Sequence, residues 1–276
     1  MRKSIAGLNA AALVLIAVVG TAEAAPVNAL TVVIPRVDIA ASSSPQVVDP
    51  NLITWETYDS FSGSSLDTGL WRQLAGGEGS VTTGATGLTL TPLSLSDPGE
   101  SDLGIRATLP VVVGGYFAMR VPFVITNAVT ALTGYVTLNI DLCGPVTELQ
   151  CDALSWVQGN DVVPPPPAPP IPFSGKAFAA DNNLDVFTIL PTTVLKGQLA
   201  IIYMDDWFTN FVDDGSGWKQ IGPAFSRPAN WTPLLFEIDA EVEVVPIAAV
   251  PEPTSLALIS LGLAGLGFFR RKYASR

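Results

Sequence analysis

The chain has 276 residues, two cysteines, no histidine and a formal net charge of −11. The lack of histidine removes the usual general base, the Ser-His-Asp arrangement and His-ligated zinc. Six of the fourteen basic residues sit in the two terminal segments, so residues 25–250 keep eight against twenty-three acidic ones, a balance that argues against nucleic acid or anionic lipid as a partner.

Arg2 and Lys3 precede an apolar run over 10–20, and Ala22-Glu23-Ala24 follows as a small-x-small pattern. Residues 1–24 therefore read as a secretory signal peptide with a helical apolar region, cut after Ala24. Residues 25–52 are rich in Ala, Pro and Ser. They read as a leader that pairs weakly as an edge strand over 30–34, with the folded domain running from 53 to 249.

Within that domain, 83–91 is a turn followed by alternating leucines, and 103–109, 115–121 and 136–140 alternate apolar with polar. Short β-rich runs follow at 186–190 and 199–204, and 234–245 ends the set. Each is bounded by Gly, Pro, Asn or Asp, and no helical period is sustained. The expectation is an all-β, two-sheet sandwich in one domain. The proline-rich segment 162–172 has polyproline II character and reads as a stiff surface loop of that domain, rather than an interdomain spacer or a ligand for a proline-reading groove.

Cys143 and Cys151, eight residues apart in an exported chain, read as a disulfide closing a surface loop. Asp205, Asp206, Asp213 and Asp214 offer oxygen ligands suited to calcium, though their spacing matches no EF-hand. A solvated acidic loop is the plainer reading, with no cofactor. Trp207, Trp218 and Trp231 lie in the same region. Exposed, such rings stack on sugars; buried, they are core.

The last segment starts with Pro251, Glu252 and Pro253 and continues through an uncharged run containing Gly262, Gly265 and Gly267. It closes with Arg270, Arg271 and Lys272. As a helix, the sixteen residues 254–269 span about 24 Å, slightly short of a hydrocarbon core of about 30 Å. The basic cluster places the body outside the membrane. Together the three parts resemble the PEP-CTERM sorting signal of Gram-negative bacteria. The resemblance implies recognition by an exosortase-type membrane protease, cleavage near Pro251, Glu252 and Pro253, membrane association through the tail, and delivery to the cell surface or extracellular matrix.

Two further stretches resemble a second family. Tyr58-Asp59-Ser60-Phe61, with Ser65-Leu66-Asp67 and Trp71, looks like the opening of concanavalin A-like lectin/glucanase domains. Phe208 to Ile221, with an Asp-Gly-Ser-Gly turn, looks like that fold's late hairpin. The resemblance implies a jelly-roll sandwich and an extracellular polysaccharide as partner. Glu237-Ile238-Asp239-Ala240-Glu241 resembles the Glu-x-Asp-x-Glu motif of laminarinase-type glucanases, which implies Glu237 as nucleophile, Glu241 as acid/base and Asp239 between them. The family places this strand mid-domain, whereas here it comes last, and Glu243 extends the acidic face as on any solvent-facing terminal strand. The sequence expectation is therefore a non-enzymatic structural or carbohydrate-binding protein, with the glycoside hydrolase as the alternative.

Overall fold

The computed structural model describes residues 25–42, 48–74, 77–108, 115–144, 151–162, 173–181, 187–226 and 233–245. The signal peptide, the sorting tail with its hydrophobic helix, and most of the proline-rich loop lie outside these residues. None of the described residues is helical, and among them no helix is long and apolar enough to cross a membrane.

Sixteen strands appear among the described residues. In chain order they are β1 (Asn28–Ile34), β2 (Val37–Ser42), β3 (Glu56–Asp59), β4 (Trp71–Gln73), β5 (Gly79–Gly84), β6 (Gly87–Pro92), β7 (Gly99–Thr108) and β8 (Tyr116–Thr130). These are followed by β9 (Gly134–Cys143), β10 (Cys151–Val162), β11 (Phe173–Asp181), β12 (Phe187–Thr192), β13 (Lys196–Met204), β14 (Trp207–Asp213), β15 (Trp218–Ser226) and β16 (Leu235–Val244). One sheet has the order β15-β14-β13-β8-β1-β6-β5, with β2 on β8 and β3 on β2; the other has the order β12-β11-β10-β9-β16-β7-β4.

Alternation along each strand builds the space between the sheets. Leu30, Val32 and Ile34 of β1, Phe117, Met119, Val121 and Phe123 of β8, and Leu199 and Ile201 of β13 line one wall. Val136, Leu138 and Ile140 of β9, Leu154 and Trp156 of β10, and Phe236, Ile238 and Ala240 of β16 line the other. A smaller cluster, Tyr116, Ala118, Ala200, Ile202 and Phe211, forms on the outer side of the larger sheet, where Val48, Ile53 and Trp55 cover it.

The leader differs from its expectation. Asn28–Ile34 is no edge strand, because it lies between β8 and β6 with Leu30, Val32 and Ile34 almost wholly buried. The fold therefore takes in residues well before Ile53. Its apolar alternation was masked by Val33, an apolar residue on the opposite face. Pro35, which has no N–H to give a ladder, separates β1 from β2. The two then run successively along the fifteen-residue β8, from Asn28 opposite Thr130 to Ser42 opposite Tyr116.

Several expectations match. The 83–91 turn is the β5–β6 hairpin, the late hairpin is β14–β15, and Cys143 is bonded to Cys151 across β9 and β10.

Candidate functional site

The chemistry-bearing surface is the outer face of the seven-stranded sheet, centred on β16. Phe236, Ile238, Ala240 and Val242 point into the core, so period-2 geometry sends Glu237, Asp239, Glu241 and Glu243 to the outer face. Glu237, Glu241 and Glu243 stay partly exposed on that face, but the strand is not at the sheet's edge. It is inserted between β9 and β7, flanked along its whole length, and Asp239 is only 8% exposed.

The two neighbours determine what each acid meets. Glu237 lies opposite Asp141 on one side and Arg106 on the other; Asp239 lies between Asn139 and Gly104; Glu241 lies between Thr137 and Asp102; Glu243 lies between Tyr135 and Glu100. Arg106 forms an ion pair with Glu237. Asn139 Nδ2 donates to Asp239 Oδ1 at 2.7 Å, and the Tyr135 hydroxyl donates to Glu241 Oε1 at 2.9 Å. Asp141 and Asp239 are hydrogen-bonded to each other. Gly104 makes room for this pair, since a Cβ there would come within 2.7 Å of the Asp239 Cβ.

Crowding and desolvation make the face hold protons. Burial, above all, pushes Asp141 up to about 7, with the Glu237, Asp152 and Asp102 charges adding to it against the Asp239 hydrogen bond. Burial and then the charges of Asp141 and Asp102 raise Asp239 well above the usual carboxylate range. Burial takes Glu241 up to about 8, opposed by the Tyr135 hydrogen bond and assisted by Glu100 and Asp239. Asp102 is raised by burial and then by Glu100 and Glu237. Two carboxyls in contact in a poorly solvated place share a proton rather than both ionise.

Sequence reasoning found Glu237, Asp239 and Glu241 but missed Asp102, Arg106, Tyr135, Asn139 and Asp141. A signal for them was present: Tyr135, Thr137, Asn139 and Asp141 are the polar alternates of their strand, as are Asp102 and Arg106 of theirs. Which acids they would face depends on sheet order, which alternation does not encode.

The other candidate residues do not converge. Asp205 and Asp206, at φ 51° and 67°, form the two-residue turn between β13 and β14, where Met204 pairs with Trp207. Asp213 and Asp214 stand at the other end of the seven-residue β14, about 20 Å away at strand rise. Asp206, Asp213 and Asp214 have local partners. Asp213 Oδ1 accepts from the Gly215 and Gly217 amides at 2.8 and 3.0 Å, Asp214 Oδ2 accepts from Lys219 Nζ at 2.8 Å, and Tyr203 donates to Asp206 Oδ1 at 3.0 Å. Lys219 holds Asp214 down at about 2. The four thus cannot form one calcium site, and among the described residues no group of three or more His, Cys, Asp or Glu side chains is placed to hold a metal ion.

The tryptophans are likewise apart. Trp207, 51% exposed, pairs with Ser226, while Trp218 pairs with Asp213 at the opposite end of the hairpin and packs on the smaller outer cluster. Trp231 lies outside the described residues.

Comparison with known proteins gives two kinds of likeness. Among solved structures, the chain is similar to a Bacillus licheniformis beta-glucanase at 13% identity and a TM-score of 0.36, over 66% of this chain and 83% of that one. It is also similar to an immunostimulatory antigen and pseudo beta-1,3-glucanase of Mycobacterium tuberculosis at 12% identity and a TM-score of 0.30, over 67% and 86%. No curated protein matches the chain. Residues 249–272 match the PEP-CTERM protein-sorting motif, so the chain is an exported protein that carries this signal and is sorted by an exosortase.

Proposed function

We propose that the protein is a non-enzymatic component of the cell surface or extracellular matrix of a Gram-negative bacterium, with a structural or carbohydrate-binding role. The observation that carries this reading is that every acid of the Glu237, Asp239 and Glu241 set already has a protein partner from an adjacent strand. Retaining hydrolysis needs one carboxylate available to attack the sugar and a second carboxyl about 5–5.5 Å away. Here Arg106 occupies Glu237, Asn139 and Asp141 occupy Asp239, and Tyr135 occupies Glu241. Such a face works as a cross-strand network that fixes the register of β7, β16 and β9. The uncharged run and basic cluster of the tail support anchoring by a membrane helix before processing.

A second reading, a glycoside hydrolase using Glu237 and Glu241, is favoured by one observation: the motif lies on an interior strand, where burial raises Glu241 to about 8 and Arg106 pairs with Glu237. A carboxyl raised by its surroundings suits the general acid of such a pair. Applying the purified protein to an array of β-glucans and bacterial exopolysaccharides tests the main reading. The expected result is retention of a polysaccharide without any change in its chain length, or no retention if the role is purely structural. Shortening of a bound glycan contradicts it.

A further inference from the structure

The C-terminal end of β16 is fastened into the fold. The Val245 amide donates to the Thr133 carbonyl at 2.9 Å. The buried Asn28 donates from Nδ2 to the Glu243 carbonyl at 2.8 Å, and its Oδ1 accepts from the Leu132 amide at 2.9 Å. Gly134, at φ 145°, passes so close to the Glu243 carbonyl that a Cβ there would overlap it. This strand end therefore resists being pulled out of the sheet, because it is interior and stitched from both β1 and the turn at 131–133.

Only residues 246–250 separate Val245 from Pro251. Six residue steps reach at most about 22 Å when fully extended. A protease acting at Pro251, Glu252 and Pro253 must therefore work beside one particular end of the sandwich, the one formed by Asn28, the bend at 95–98 and the turn at 131–133. Asp97 and Glu100 are exposed on this end, with Glu243 beside them. That acidic rim suits a neutral or basic protein surface rather than anionic lipid headgroups. We infer that this end of the folded sandwich is the surface that docks on the exosortase, and that the short tether makes sorting dependent on that docking. The inference rests on the sorting role of the tail.

The test uses the full-length protein in a host carrying an exosortase. Because both native cysteines are disulfide-bonded, a single added cysteine can be labelled selectively. Ala131→Cys, on the proposed face, is expected to give a photo-crosslink to the exosortase, and Trp207→Cys, exposed at the end of the sheet away from Thr130, is expected to give none. Deleting residues 246–248, which leaves the matched motif whole, is expected to slow processing by about tenfold or more, the scale of loss when a reacting group is misplaced. Adding a ten-residue Gly/Ser insert to the deletion variant restores roughly 17 Å of reach and is expected to restore processing. Unchanged melting of the deletion variant separates a reach effect from unfolding. Equal crosslinking from both ends, or wild-type processing of the deletion variant, would overturn the inference. Failure of the wild-type chain to be processed at all would instead remove the sorting role on which it rests.

Discussion

At the scale of single residues, the outer acids of β16 show what burial does to a carboxylate. Folded-state values raised above those of the unfolded chain mean that the folded protein binds protons more tightly. The stabilisation is then complete below the unfolded value of about 4 and is lost as pH rises through the folded values, which lie at about 7 for Asp141 and about 8 for Glu241. Asp38 behaves in the opposite way. Burial works to raise it, but hydrogen bonds from Arg36 and Arg120 outweigh that and bring it below the usual range, so its contribution is lost on acidification. The melting temperature is expected to peak near pH 4–5 and to fall continuously toward pH 8. Glu241→Gln, which keeps the shape without the titrating proton, is expected to flatten that fall by several degrees, given about 2–4 °C per kcal/mol for a domain of this size. Scanning calorimetry across the pH range measures both. The acids of β16 were legible in sequence because a period of two aligns positions 237, 239 and 241. Asp141 and Asp102 were not, because their approach depends on which strands flank β16.

At the scale of elements, the opening motif has a clear structural meaning. Asp59 accepts the Phe61 amide at 2.7 Å and the Trp71 indole N–H at 2.8 Å, fixing the loop between β3 and β4. Trp71 then meets Tyr58, Phe61 and Phe236 with ring centroids 5.3–5.6 Å apart. This cluster seats the loop on the beginning of β16, the strand that carries the acids. Trp71→Ala is expected to cost about 3–5 kcal/mol by urea denaturation, and Trp71→Phe markedly less, since it retains the ring contacts. The spacing of Tyr58, Phe61 and Trp71 could be read without coordinates. The role of β1 could not, because Val32, Val33 and Ile34 are apolar in succession and a short apolar run fits an interior strand and a weak edge strand alike. The disulfide was legible for a simpler reason: in an exported chain, two cysteines separated by seven residues have only each other.

At the scale of the whole molecule, a two-sheet sandwich is tethered by its penultimate segment to a sorting signal. The all-β class followed from short strands and abundant turn residues. Chain order misled in one respect, because the last strand in sequence is not the last in the sheet. β16 enters between β9 and β7, and the acidic motif becomes a partnered, partly buried row on the outer face of an interior strand. That placement is why a glucanase-like sequence pattern and a non-catalytic reading coexist here. The most direct measurement is release of reducing ends from soluble β-1,3- and mixed-linkage glucans by the purified protein, with Glu237→Gln and Glu241→Gln in parallel. No release above the substrate blank is expected for any of the three proteins. Release by the wild type that either substitution abolishes would contradict it and assign hydrolysis to these two residues.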